Sequence, residues 1–245
     1  MLKLIPLGVC TIISLSLLLS GCNMLNPLQK PEIGPAGAPV ETKANPPFTQ
    51  RFIPPPGELY DLEATAGVIF EGILKNNWQQ AQAGLRTLEE IWPQTKALLG
   101  DKKGVKSGNE ALEKLTAAIY GEKSIESYES LNKFMGSLSD VGKSYKLSPI
   151  SDIIAVGNSI RTVSFYVESN EWDKAKVKMK QLENTWGQAK PSIESIGILG
   201  RITTTHSVVK QMKDAVDAEN KGSITEHVAT INEQMGYIRE YYRGK

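Results

Sequence analysis

Four sets of side chains in this 245-residue chain have types and spacings that could do chemistry. Cys22 follows Leu19-Ser20-Gly21, and a thiol behind small residues is a site for attachment of a lipid. Glu89 and Glu183 recur beside matching apolar stripes and could hold a cation or a basic partner. Trp78 and Trp172 open matching segments and could line a ligand groove. His206 and His227 are the two histidines, the residue type most used for acid–base work and metal ligation.

The surroundings of Cys22 are the most specific. Met1-Leu2-Lys3 is a short n-region, and Leu4 to Leu19 is an apolar run of about 16 residues. That length fits a signal h-region and falls short of the ~20 residues a spanning helix needs. Pro6 weakens a long helix further. This is the layout of a bacterial lipoprotein signal peptide. Residues 1–21 are therefore expected to be removed by cleavage between Gly21 and Cys22, once the thiol carries a diacylglycerol. The mature chain would sit on the extracytoplasmic face of the cell membrane, held by lipid. Two acyl chains on one residue meet the requirement for stable anchoring, where one chain would be reversible. Cys10 lies in the removed segment, so no free thiol remains for a disulfide or a Cys metal site. Stability in an oxidising compartment then has to come from a hydrophobic core.

Behind the anchor, residues 22–57 read as a tether. Residues 23 to 57 hold nine of the thirteen prolines, with Pro27, Pro31, Pro35 and Pro39 at every fourth position and Pro54-Pro55-Pro56-Gly57 at the end. Proline at this density suppresses helix and strand and favours extended chain. Fully extended, the segment would reach roughly 100 Å at ~3.1 Å per residue, enough to hold a domain off the membrane. Charge is balanced beyond it. Residues 58–148 carry 13 acidic and 11 basic side chains, and residues 149–245 carry 12 and 13. No basic patch argues for a nucleic-acid partner.

The remaining chain repeats itself. Trp78, Ala81, Leu88, Glu89 and Trp92 return 94 residues later as Trp172, Ala175, Leu182, Glu183 and Trp186. Leu59, Leu62, Ala66, Ile69 and Ile73 return as Ile153, Val156, Ile160, Val163 and Val167. The spacing grows to 97 for Leu112, Leu115 and Ile119 against Val209, Met212 and Val216. It reaches 100 for Leu131, Met135 and Leu138 against Ile231, Met235 and Ile238. This density of matches reads as an internal duplication with small loop insertions. Steps of three and four between apolar positions are helical. The fold class is therefore all-α: a tandem duplicated antiparallel helical bundle with about four helices per unit, unit 1 over 58–148 and unit 2 over 149–245. Helices are expected at roughly 58–75, 77–99, 108–120, 124–141, 150–168, 171–197, 204–218 and 223–242. Asn76-Asn77 and Ser169-Asn170 are expected to cap the second helix of each unit. Gly121 and Gly222 are expected in the turns before the fourth helices, and Pro93 is expected to kink or end its helix. The tetratricopeptide family is disfavoured, since no copy appears at 34 residues.

Within this frame most candidates have a structural explanation. His206 lies about fifteen residues before the last turn and His227 about six after it, which separates their levels by roughly 13 Å and makes a shared metal unfavourable. Glu89 and Glu183 read as helix-flank carboxylates that pair with Arg86 or with a neighbouring helix. Trp92 and Trp186 read as core, and Trp78 and Trp172 as half-exposed helix starts. Tyr237, Tyr241 and Tyr242 would seal the bundle or offer a surface to a partner. No nucleophile elbow, phosphate-binding glycine loop or HExxH pattern points to catalysis, to a cofactor or to a metal.

The second unit, Asn170 to Tyr242, resembles a domain of unknown function found in small membrane-attached proteins of Gram-positive bacteria. There an Asn/Asp-Trp-x-x-Ala-x6-Leu-x3-Trp helix precedes two shorter helices. Residues 76 to 139 resemble it more loosely, and the family usually has one unit behind a simple anchor. The resemblance implies no activity. The expectation is a lipid-anchored, non-catalytic interaction or scaffold module that binds another envelope protein. The alternative is a ligand- or cation-binding lipoprotein serving transport or sensing.

Overall fold

Apolar residues spaced by three and four turn one face of each helix inward, and the computed structural model, which describes residues 53–244, follows that pattern. The signal segment, the Gly21–Cys22 junction and the tether through residue 52 lie outside the described residues. Eight α-helices follow one another: α1 (Glu58–Leu74), α2 (Trp78–Leu99), α3 (Val105–Tyr120), α4 (Ser124–Gly142), α5 (Ile150–Glu168), α6 (Trp172–Ile193), α7 (Leu199–Asp217) and α8 (Lys221–Arg243). A single 3₁₀ turn, Ile196–Ile198, leads into α7.

The helices pair as four antiparallel hairpins closed by the same turn. Asn76, Glu122, Asn170 and Glu219 each adopt a left-handed conformation, with φ of 52°, 53°, 55° and 54°. The next amide donates back to a carbonyl of the preceding helix: Asn77 to Gly72, Lys123 to Ala118, Glu171 to Tyr166 and Asn220 to Ala215, at 2.8–3.0 Å. This turn satisfies carbonyls that a helix end leaves open. It also revises two expectations. Asn77 does cap α2, accepting from the Gln80 amide at 3.2 Å. Asn170 instead supplies the left-handed turn, which asparagine tolerates because its short polar side chain bonds locally. Gly222 lies inside the first turn of α8, whereas Gly121 sits in the turn before α4 as expected.

Helix α2 runs through Pro93 to Leu99, the end its spacing predicts, while α3 and α7 begin earlier than expected, at Val105 and Leu199. Burial of Trp92, Thr95 and Leu99 around the proline offsets the backbone bond it removes. The sixth helix stops at Ile193 rather than near 197, and the Tyr242 hydroxyl from α8 donates to the Ile193 carbonyl at 2.6 Å.

Helices α1, α4, α5 and α8 meet in the middle: α1 packs on α4, α5 and α8, and α5 packs on α4 and α8. Helix α4 packs far more extensively on α5 than α8 does on α1, while α1 and α5 meet each other. One continuous hydrophobic core runs through residues of both units, and the described residues fall within a single compact unit. All ten apolar positions matched between α1 and α5 are buried.

Trp92 and Trp186 lie deep in this core, 3% and 2% exposed. A buried indole needs an acceptor for its N–H. Trp92 Nε1 donates to Asn109 Oδ1 at 2.6 Å, and Trp186 Nε1 donates to His206 Nδ1 at 3.2 Å. Asn109 and His206 stand 97 residues apart, the same offset as the apolar pairs of their helices. Replacing Trp92 or Trp186 by Ala should therefore cost about 3–5 kcal/mol in urea denaturation. The half-buried Trp78 and Trp172 should cost less. Asn109→Ala should cost about 1–3 kcal/mol, because the indole N–H keeps its burial and loses its acceptor.

Candidate functional site

Helices α1 and α5 are rich in apolar residues, yet each turns one charged side chain inward. Glu63 of α1 is 5% exposed and Arg161 of α5 is 7% exposed. Glu63 Oε1 accepts from Arg161 Nη1 at 3.0 Å, and Glu63 Oε2 accepts from Arg239 Nη1 of α8 at 2.6 Å. Isolated charges this deep would be costly, and mutual pairing with short charge-assisted bonds is what makes them tolerable. Gly157 of α5 permits the approach, since a methyl group there would collide with Glu63 Oε1. Glu63 and Gly157 are themselves a matched pair at 94 residues, as are Gly67 and Arg161.

In this triad two guanidinium groups share the one buried carboxylate, and the exposed Glu240 stands 3.9 Å from Arg239 Nε. Both carboxylate oxygens are engaged, and Arg161 Nε, Arg161 Nη2 and Arg239 Nε are buried with no hydrogen-bond partner. On Arg161 the free Nε and Nη2 lie side by side and form a two-donor fork, the geometry that matches a planar oxyanion. Native structures rarely leave such donors unmet, because each costs about 1–3 kcal/mol, more where the group is charged.

These groups form the floor of a cleft of about 590 Å³ between α1, α5 and α8. Its walls are largely apolar, built from Gly67, Val68 and Leu74 of α1, Val167 of α5, and Ile224 and Val228 of α8. Glu71, Lys75 and Glu168 stand on the cleft lining, with Lys75 paired to Glu71 at 3.4 Å and Glu168 paired to Lys221 at 2.7 Å. The lining hydroxyls are Ser164 and Thr225, each donating to a backbone carbonyl one turn earlier, of Ile160 and Lys221. An apolar cavity of this size with a few converging polar groups is the usual form of a small-molecule site.

The residues singled out from the sequence lie elsewhere. Glu89 accepts from Thr116 Oγ1 of α3 at 2.7 Å, a contact with a neighbouring helix. Glu183 lies near Lys213 of α7, whose ammonium is held above the ordinary lysine range chiefly by Asp217 and in smaller part by Glu183. Trp78 and Trp172 pack part of their rings on the core at the starts of α2 and α6. None of these four lines the cleft. His206 is engaged with Trp186, so its Nδ1 acts as an acceptor. Among the described residues no three His, Cys, Asp or Glu side chains gather closely enough to hold a metal ion, and no helix is long and apolar enough to cross a membrane. At the α4–α5 contact the Tyr128 ring stacks on Phe165 at 3.9 Å. Burial raises its phenol above the ordinary value, so it serves as a neutral hydrogen-bonding group.

Sequence reasoning passed over Glu63, Arg161 and Arg239. A signal was present: Leu59, Tyr60, Ala66 and Gly67, three and four residues from Glu63, are all non-polar or aromatic, and Arg161 is the lone base of α5. Family models, curated proteins and solved structures offer no match to this chain, so the reading of the cleft rests on its own geometry.

Glu63→Gln should destabilise the protein by about 3–5 kcal/mol, since two guanidinium groups lose their counter-charge. The double substitution Glu63→Leu/Arg161→Met should recover most of that loss, because the partly solvated Arg239 keeps Glu240 at 3.9 Å. Urea denaturation of the three proteins reads both outcomes.

Proposed function

We propose that this chain is a lipid-anchored, non-catalytic binding protein of the cell envelope that holds a small ligand in the cleft between α1, α5 and α8. It would serve transport or sensing on the extracytoplasmic face of the membrane. The observation that carries the reading is the unmet pair of Arg161 donors at the floor of an apolar cleft. A purely structural ion pair would gain nothing from unpaired N–H groups, whereas a binding site needs them. The Leu19-Ser20-Gly21-Cys22 motif supports the anchor and the compartment.

The scaffold reading has less to draw on. Its aromatic cluster is largely engaged inside the fold: Tyr242 bonds Ile193 O, and Tyr241 pairs its hydroxyl with Ser195 Oγ at 2.7 Å. Tyr237 packs under the Arg201 guanidinium at 3.8 Å. Glu89 and Glu183, the residues that would have served a cation, are held against their own neighbouring helices.

Two measurements test the proposal. Metabolic labelling with a fatty acid should mark the wild-type protein and leave Cys22→Ala unlabelled and unprocessed, and equal label in both would end the anchored reading. Native mass spectrometry of the protein purified from membranes should show a small adduct. A protein with no adduct, and no thermal shift in a broad ligand screen, would return the scaffold reading to first place.

A further inference from the structure

Resting on the ligand-binding reading above, we infer that the cleft takes a monocarboxylate carried on a linear aliphatic chain, with the carboxylate on the Arg161 fork. The head-group chemistry follows from the floor. Two N–H donors of Arg161, Nε and Nη2, are buried there without a hydrogen-bond partner, and Arg239 Nε has only Glu240 at 3.9 Å. A carboxylate accepts on two oxygens with room for several bonds, and an Arg fork binds it bidentately. One fork takes one carboxylate, and the acidic Glu71 and Glu168 on the same lining disfavour a second. The donors are shut off from bulk water, so the ligand head reaches them by moving the side chains that cover the floor. In that low-dielectric setting the charge-assisted bonds are strong.

The tail chemistry follows from the walls. Gly67, Val68, Leu74, Ile224 and Val228 offer apolar surface. Gly67, Val68, Ile224 and Val228 lie within α1 and α8, where backbone groups are already bonded along each helix. A peptide laid in this cleft would bring amide groups with few partners to meet, which burial penalises. A hydrocarbon chain brings none. A cationic amphiphile would place its charge against two guanidinium groups.

The floor and the walls can be tested separately. Gly67 provides a variant that leaves the triad in place: a Cβ added there meets no atom within 4 Å, so Gly67→Leu extends into free space on the cleft side of α1. Residues 53–245, which span the compact unit, would be titrated with dodecanoate, dodecanol, dodecyltrimethylammonium and acetate, each below its aggregation threshold. Dodecanoate is expected to bind saturably at one site, at least about tenfold tighter than the alcohol or the ammonium, in keeping with hydrogen bonds to a charged group. Acetate is expected to bind weakly because it lacks the tail. Gly67→Leu should retain the helical circular dichroism of the wild type and lose dodecanoate binding by tenfold or more. Arg161→Lys keeps the charge and removes the fork, and should weaken dodecanoate while leaving dodecanol unchanged.

Failures are distinguishable. If Gly67→Leu abolishes binding but the alcohol or the ammonium binds as tightly as the carboxylate, the cleft is a site and the assigned ligand class is wrong. If Gly67→Leu leaves dodecanoate affinity unchanged, the cleft is not the site and the ligand-binding reading fails with it. Should Arg161→Lys not fold, the wild-type comparison of the four ligands and Gly67→Leu still decide the question.

Discussion

A carboxylate buried where α1 crosses α5 sets a demand that the middle of this protein is built to meet. Glu63 cannot remain ionised at that depth without cations beside it, and the cations come from two other helices. Arg161 brings α5 and Arg239 brings α8. Hydrophobic burial is non-directional and would accept many crossings of three apolar helices. The two oxygens of one carboxylate accept only a narrow set, so the pairing selects one arrangement of α1, α5 and α8. The glycine at 157 belongs to the same constraint, because any larger residue would occupy the place of Glu63 Oε1.

The correspondence between the two units makes the triad easier to understand. Much of the frame occurs twice: the left-handed turns, the buried tryptophans, and the acceptors Asn109 and His206 that meet their indoles. The triad occurs once. Where α1 has Glu63, α5 has Gly157, and where α5 has Arg161, α1 has Gly67. Each charged side chain thus corresponds to a position with no side chain in the other unit. A symmetric pair of glutamates, or of arginines, at the contact of α1 with α5 would repel. The α1–α5 contact is instead polarised, with Glu63 beside Gly157 and bonded to Arg161.

Ser127 Oγ aside, polar groups elsewhere in the core are largely matched inside the protein. Asn132 links Tyr128, Thr162 and Asn158 across α4 and α5, and Ser139 meets Ser151 beside them. Against that background the two free donors on one guanidinium of Arg161 stand apart. Stability alone would favour an apolar replacement of the triad. Unmet guanidinium donors beside an apolar cavity are what anion recognition requires, and they are the feature on which the ligand-binding reading depends.

The helices were legible in the sequence because apolar spacing is a local property. Steps of three and four placed all eight, and the recurrence of Trp78 to Trp92 as Trp172 to Trp186 placed the core tryptophans correctly. The expectation of lipid attachment also rests on a few adjacent residues, which lie outside the described ones. A local signal misled at one hairpin turn, where Asn170 holds a left-handed conformation rather than a cap. The cleft was not legible. Glu63, Arg161 and Arg239 stand 98 and 78 residues apart in sequence order, and nothing in their spacing says that they share one carboxylate. Only the packing of α1, α5 and α8 brings them together. A charge on a helix reads as solvated until the fold removes the water, and that desolvation turns three separate ionisable residues into one buried cluster.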